Sequence, residues 1–267
     1  QCNWGKATYG VTRLRDGDQR DTSVGISLGR QDQITDTLYG GASFAYETTS
    51  FDGVGSSSDG DRVSLGGIVK YIDGPLYASA SMVGSYGWAN GTRYSSLPWV
   101  DGIASSDQET WGLTGRLRTG YAFKAGGLQL MPLVDLDMLG IFDSGYTEQG
   151  LGDLALRVAP STNVLFDLRP ALRIGGTMQV GEASVTSYIE AGALFRLNEG
   201  SIDVSLPNGP NPSASVPLTL DQDEVMGTLA IGTAIDWGGY EARLVYEGAL
   251  GSDTMSQAGS IKFAIKF

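Results

Sequence analysis

Trp111-Gly112-Leu113-Thr114-Gly115-Arg116-Leu117-Arg118-Thr119-Gly120-Tyr121-Ala122-Phe123 alternates without a break. Trp111, Leu113, Gly115, Leu117, Thr119, Tyr121 and Phe123 share one parity; Gly112, Thr114, Arg116, Arg118, Gly120 and Ala122 share the other. Successive side chains of a strand point to opposite sides, so this stretch is a strand with one apolar face and one small or charged face. It is also long, beyond the usual 5–6 residues of a globular strand and above the roughly 9–11 that a tilted strand needs to cross a bilayer.

The same period recurs in both directions along the chain. Val24, Ile26 and Leu28 alternate with Gly25, Ser27 and Gly29; Tyr240, Ala242, Leu244 and Tyr246 with Glu241, Arg243, Val245 and Glu247; Ile261, Phe263, Ile265 and Phe267 with Ser260, Lys262, Ala264 and Lys266. Twelve such stretches are expected, at 3–14, 21–31, 36–48, 61–72, 75–89, 109–124, 127–143, 161–179, 183–197, 223–237, 239–250 and 254–267. Their connections alternate too. Short turns such as Asp73-Gly74, Ala125-Gly126 and Gly181-Glu182 lie on one side, and long polar loops near 49–60, 90–108, 144–160 and 198–222 on the other. An all-β, up-and-down antiparallel meander of this kind has the layout of a 12-strand transmembrane barrel.

Charge follows the same division. The long-side loops carry Asp16, Asp18, Asp52, Asp59, Asp61, Asp101, Asp107, Asp143, Glu148, Asp153, Glu199, Asp203, Asp221 and Asp253 against Arg15, Arg20, Arg93 and Arg157, so most of the net charge of −12 belongs to one rim. Six of the nine prolines (Pro98, Pro160, Pro207, Pro210, Pro212, Pro217) fall in the same loops.

Composition narrows the function classes. In 267 residues there are 39 Gly, one Cys and no His. Without His there is no Ser-His-Asp or Cys-His nucleophile and no His-ligated zinc site. One Cys makes no internal disulfide, and a net charge of −12 disfavours nucleic acid. The chain opens at Gln1-Cys2-Asn3-Trp4 directly into patterned sequence, no run of 18 apolar residues occurs, and the mean hydropathy is −0.07.

Alternation alone does not say which face meets which solvent: a sandwich buries its apolar face, whereas a membrane barrel turns it out to lipid. Three features favour the barrel. The polar parity carries both signs in mid-strand, at Arg116, Arg118, Asp135, Asp137, Asp167, Arg169, Arg173, Glu190, Arg196, Glu241, Arg243 and Glu247, which can pair across a wet lumen. Aromatics gather near strand ends, with Trp4, Trp88, Trp111, Tyr121, Trp237 and Tyr240 expected in two interfacial girdles. An even strand number closes the sheet without an edge. Pro132 and Pro170 resist, since each removes a ladder donor; a bulge or locally lost pairing accommodates them.

With these residues in view, the chain resembles the autotransporter β-domain, the translocator of type V secretion. The terminal Ile261, Phe263, Ile265 and Phe267 resemble the C-terminal strand signature read by the outer-membrane assembly machinery. Thr119-Gly120-Tyr121 to Leu130-Met131-Pro132, then Gly145-Tyr146-Thr147-Glu148, resemble the family's middle strands and the aromatic-Thr-Glu loop, and Leu154-Ala155-Leu156-Arg157-Val158 resembles the segment that follows. The resemblance implies one barrel domain over 1–267 in the bacterial outer membrane, contacting lipids, the assembly machinery and its own passenger. It implies a monomer, no nucleic acid, no cofactor and no metal. The family's pore helix before the first strand has no counterpart here, so passenger and helix are expected to have been removed.

The alternative is a stand-alone pore or adhesin working through its loops. Enzymatic function is not expected beyond intrabarrel self-cleavage, in which Asp135 and Asp137 assist an Asn; the simpler reading makes them a charge ladder with Arg116, Arg118, Arg169 or Arg173. Asp16-Gly17-Asp18 and Asp59-Gly60-Asp61 are too short for a calcium loop, Gly66-Gly67 and Gly175-Gly176 are not phosphate loops, and Cys2 is not placed as a lipidation site.

Overall fold

The computed structural model describes residues 1–14, 19–97, 100–208, 214–219 and 223–267. Arg15, Asp16, Asp18, Pro98, Pro210, Pro212 and Asp221, assigned above to loops, lie outside them.

The main sheet runs β1 (Cys2–Leu14), β2 (Gln19–Gln33), β3 (Leu38–Gly53), β4 (Ser56–Asp73), β5 (Leu76–Leu97), β6 (Val100–Tyr121) continued by β7 (Phe123–Ala125), β8 (Leu128–Asp143), β11 (Ser161–Val180), β12 (Ala183–Arg196), β15 (Val225–Trp237), β16 (Tyr240–Leu250) and β17 (Thr254–Lys266). Each strand pairs antiparallel with the next, and β17 returns to β1 from Cys2↔Lys266 to Leu14↔Thr254. With β6 and β7 counted as one strand, twelve strands close into a barrel that has no edge.

Both prolines are absorbed without a bulge. Pro132 offers no N–H toward β6, and β6 breaks off at Ala122, whose N–H donates to Pro75 O at 2.8 Å. Pairing with β8 resumes at Phe123↔Leu130 in the same register. Beside Pro170, the β11–β12 ladder drops out between Leu168↔Phe195 and Ala171↔Gly192, again with the register kept. Losing one donor therefore costs a local gap rather than a shift of every following side chain to the other face.

Exposure settles which face is which. Ile26 is 62% exposed, Leu65 69% and Phe263 57%, all on the outer face. A water-soluble barrel would bury them; here the buried apolar residues are few, and Leu133, Leu165, Leu194, Met226 and Ala264 point into the lumen. Along β6 the outer belt runs from Trp111 to Tyr121. That is about 33 Å of strand at ~3.3 Å per residue, or about 25 Å of height once tilted.

The long-side loops differ from the expectation. Residues 49–60 are no loop: β3 and β4 stay paired to Gly53↔Ser56. Residues 90–108 are mostly a ribbon in which β5 and β6 pair up to Leu97↔Val100. Above the membrane no lipid selects for apolar alternation, so Ser, Thr and Asp stand on both faces while the backbone ladder continues. The loops 144–160 and 198–222 contribute a separate four-stranded sheet in the order β14 (Ser215–Thr219), β13 (Ser201–Ser205), β10 (Arg157–Val158), β9 (Tyr146–Thr147).

Candidate functional site: the charged lumen and its cover

Register fixes what faces the lumen, because directly paired residues share a face. From β2 to β5 the inward positions at mid-height are small and neutral: Ser27 pairs with Ala45, Ala45 with Ser64, and Ser64 with Ser85, with the Glu47–Arg62 pair to one side and Lys70 to the other. At β6 the lining changes character, since Ser81 stands opposite Arg116 and Ser79 opposite Arg118.

From there to β12 the lumen wall is an ion-pair network. Arg118 grips both oxygens of Asp135, Nε–Oδ1 at 2.6 Å and Nη2–Oδ2 at 2.6 Å. Arg116 does the same to Asp137 at 2.5 and 2.9 Å, and Arg169 Nη2 reaches Asp137 Oδ2 at 3.2 Å. Arg173 donates twice to Glu190 Oε2, at 2.9 and 2.6 Å, and lies over the Tyr188 ring at 4.3 Å. Arg118 also approaches Glu190 at 3.6 Å, and Arg196 pairs with Asp167 at 3.1 Å. On β16 Arg243 meets Glu241 at 3.2 Å, while Glu247 faces the lumen beside Ala230 and Ala258. Asp135 is 0% exposed. With both its oxygens occupied by a guanidinium, it is arranged as a brace between β6 and β8 rather than as an acid free to handle a proton.

The aromatic residues separate into two groups and one exception. Tyr86 contacts Trp88 and Trp111, with centroids 5.7 and 4.7 Å apart, at the long-loop end of the outer belt; Asp61 and Glu109 flank Trp88 in the ladder there. Tyr121–Phe123 and Trp237–Tyr240 mark the short-turn end, at 4.8 and 6.3 Å. Trp4, expected in a girdle, points the other way. It pairs with Ala264 and Gly29 on the lumen face, and Lys262 Nζ sits 5.0 Å from its ring centroid. Its parity on β1 decides this, and a large aromatic at a strand end had masked it. A Cβ on Gly29 would come 2.3 Å from the indole, so the ring needs glycine there.

At the long-loop mouth the cover is tied down by Glu148 of the aromatic-Thr-Glu loop and by Arg93, which the sequence offered only as one of the loop charges. Arg93, on the inner face of the β5–β6 ribbon, donates to Glu148 at 2.8 and 2.6 Å and to Leu154 O at 2.9 Å. Leu156 N–H donates to Glu148 Oε2 at 2.8 Å. Burial by itself would raise the Glu148 carboxyl; the guanidinium and the N–H overcome this and hold it below the ordinary carboxylate range. Two of the segments that carried the family resemblance, 145–148 and 154–158, thus face each other as β9 and β10 with Glu148 joining them. Arg93 left no signal, being one arginine in a polar stretch.

A second anchor joins the other loops. Asp223, 6% exposed, accepts from the Ser252 hydroxyl, from Asp253 N–H at 3.1 Å and from Thr254 N–H at 2.7 Å. Burial pushes this carboxyl up, the hydrogen bonds pull it down further, and it settles at about 2 from an ordinary 3.8. A carboxylate with a depressed folded pKa stabilises above its unfolded pKa, and that contribution fades as pH falls through the folded value. Amide exchange at Asp253 and Thr254, corrected for intrinsic rates, is therefore expected to lose protection between about pH 4 and pH 2. Asp223→Ala removes roughly tenfold of that protection at neutral pH; unchanged protection in the variant rules the anchor out.

Among the described residues no group of three or more His, Cys, Asp or Glu is placed to hold a metal ion, and no helix is long and apolar enough to cross a membrane, which says nothing of a barrel. The family model for the autotransporter β-domain matches residues 3–247. Among solved structures, the chain is similar to the translocator domain of the autotransporter NalP from Neisseria meningitidis (TM-score 0.83, 11% identity, covering 100% of this chain and 88% of that one). It is similar also to the β-domain of the Bordetella autotransporter BrkA (0.69, 16%, 99% and 98%) and to the transport unit of AIDA-I from Escherichia coli (0.64, 13%, 100% and 91%). At these identities the likeness is one of fold. A comparison with curated protein sequences finds no match.

Proposed function

The chain belongs to the autotransporter β-domain family, and from that premise we propose how its barrel does its work. It is an outer-membrane translocator barrel that supports export of a linked passenger. Our reading of the route rests on one observation, the unequal lining of the lumen. From β6 to β12 the interior is filled by ion-paired Arg, Asp and Glu, whose side chains are committed to one another. At mid-height the wall from β2 to β5 is lined by Ser27, Ala45, Ser64 and Ser85, and the neighbouring Arg62 is paired with Glu47, so this level leaves room and offers no unpaired charge to trap a moving chain. The passenger passes along this small-residue wall, and the network opposite holds the wall's shape under load.

Bulk on that wall is the test. With a reporter fused upstream as passenger, Ser81→Trp is expected to lower surface display severalfold at an unchanged barrel level, because an indole is far larger than the space a serine leaves. Display equal to that of the unmodified chain sinks the route.

The barrel performs no bond chemistry in this reading; Asp135 and Asp137 serve as braces. Its outer belt contacts outer-membrane lipids, and it acts as a monomer. The assembly machinery reads Ile261, Phe263 and Ile265, turned outward on β17, and Phe267 just beyond it, all exposed. Scrambling residues 261–267 is expected to leave the protein out of the outer membrane, as judged by fractionation and heat-modifiable gel mobility; normal assembly refutes that role.

A further inference from the structure

One lumen patch breaks the pairing rule that the rest of the interior obeys. Arg62, Arg116, Arg118, Arg169, Arg173 and Arg196 each have a carboxylate within 4 Å. On the seam that closes the barrel, Lys6 of β1 stands directly opposite Lys262 of β17, and Lys262 directly opposite Arg243 of β16. Directly opposed residues lie about 4.5–5.5 Å apart at Cα, and like charges so placed destabilise a sheet. Three cations thus occupy one rung. Lys70 comes in from the far side, its Nζ held by Gln31 Oε1 at 2.7 Å on the strand next to β1. Among the described residues no carboxylate lies within 4 Å of Lys6, Lys70 or Lys262, while Arg243 shares Glu241 with Lys266, which also pairs with Asp236. The neighbourhood holds five cations and two carboxylates.

These lysines are half-buried, so water screens their repulsion only in part. They are also held in place: Lys262 by the face of Trp4 at 5.0 Å, Trp4 by Gly29, and Lys70 by Gln31. A fixed row of ammonium and guanidinium groups with too few carboxylates is relieved by an anion sitting between them. We propose that the lumen carries, within a few residues of its short-turn mouth, an anion-binding station formed by Lys6, Lys262, Arg243 and Lys70. It takes small inorganic anions, and multivalent oxyanions such as pyrophosphate most tightly, since one such ion answers several cations at once. Lys70 and Gln31 stand at the short-turn end of the wall proposed above for export, but anion binding is read without any passenger, so either idea can fail without the other.

Trp4 supplies a reporter inside the patch. In the full chain refolded in non-ionic detergent, with Trp88→Phe, Trp99→Phe, Trp111→Phe and Trp237→Phe, the remaining indole is titrated with iodide and with caesium. A local positive potential of this size is expected to make iodide quench at least about threefold more strongly than caesium after correction for their behaviour with free tryptophan. Millimolar inorganic pyrophosphate is expected to suppress the iodide effect, and Lys6→Gln with Lys262→Gln to bring the two ions near parity. Equal quenching by the two ions in the unsubstituted lysine background, or iodide quenching indifferent to pyrophosphate, overturns the proposal; neither reading depends on the lysine variants folding. An independent check is the reversal potential of the refolded chain in a planar bilayer under a potassium chloride gradient. Chloride preference that Lys262→Gln reduces supports the station, and equal permeability of the two ions counts against it.

Discussion

Arg118→Ala is expected to cost the folded barrel about 3–5 kcal/mol, the range for stripping a partner from a buried ion pair. The size follows from Asp135, which is 0% exposed and whose two oxygens are both bonded to that one guanidinium. Removing the cation leaves a recessed carboxylate without its partner, and Arg169, opposite it in the β8–β11 ladder, already serves Asp137. Glu190 loses its contact with Arg118 as well, though Arg173 still holds it. The joint replacement Arg118→Met with Asp135→Leu removes both charges and is expected to stay near the original stability, since paired buried charges often do no better than apolar residues of similar volume. Urea unfolding in lipid vesicles, followed by tryptophan emission, reads both. A loss below about 1 kcal/mol for Arg118→Ala, or a double variant as weak as the single one, would falsify the account of Asp135 as a brace.

Leu136→Arg is the second large effect, at about 2–4 kcal/mol for an arginine on the lipid face near mid-bilayer. Leu136 lies between Leu117 and Leu168 on the outer face and is 39% exposed. The matching control is Ser64→Arg, mid-strand on the lumen side between Ala45 and Ser85. There the added charge meets water, and the change is expected to stay within about 0.5 kcal/mol. A sandwich with the apolar face inside would keep that order in every medium, with Ser64→Arg harmless on its surface and Leu136→Arg ruinous to folding even in plain detergent. In the barrel, Leu136→Arg refolds in detergent and fails chiefly in bilayers. The same ranking in vesicles and in detergent contradicts the assignment of faces.

Particular elements show how far the sequence could be read. The stretch from Trp111 to Phe123 was legible because lipid and water impose opposite demands on its two faces, and that alternation survives at every turn of the barrel. Where both faces meet water it vanishes: the ribbon above Glu109 read as a polar loop because its ladder is made of backbone bonds, which leave no trace in side-chain polarity. Pro132 and Pro170 were recognisable as interruptions, but whether the register would slip depended on neighbours across the gap. Trp4 was misplaced because proximity to a strand end outweighed parity, although its partners Ala264 and Lys262 lie on the polar parity of β17. Arg93 and Glu148 are 55 positions apart, and only the folding of one loop against the inner face of another hairpin makes them a pair.

What the sequence determined by itself was the barrel's strand count, the two faces of each barrel strand, the meander and the sidedness of its connections, all of which are local consequences of a period of two. What only the tertiary structure decided was which charges meet. Arg118 with Asp135 and Arg116 with Asp137 are rungs of one register, and the same register puts Lys6, Lys262 and Arg243 on a rung with too few acids to match. Register is set by backbone hydrogen bonds between strands, across a short turn for Arg118 with Asp135 and between the two ends of the chain for Lys6 with Lys262, and side-chain polarity along the chain does not carry it.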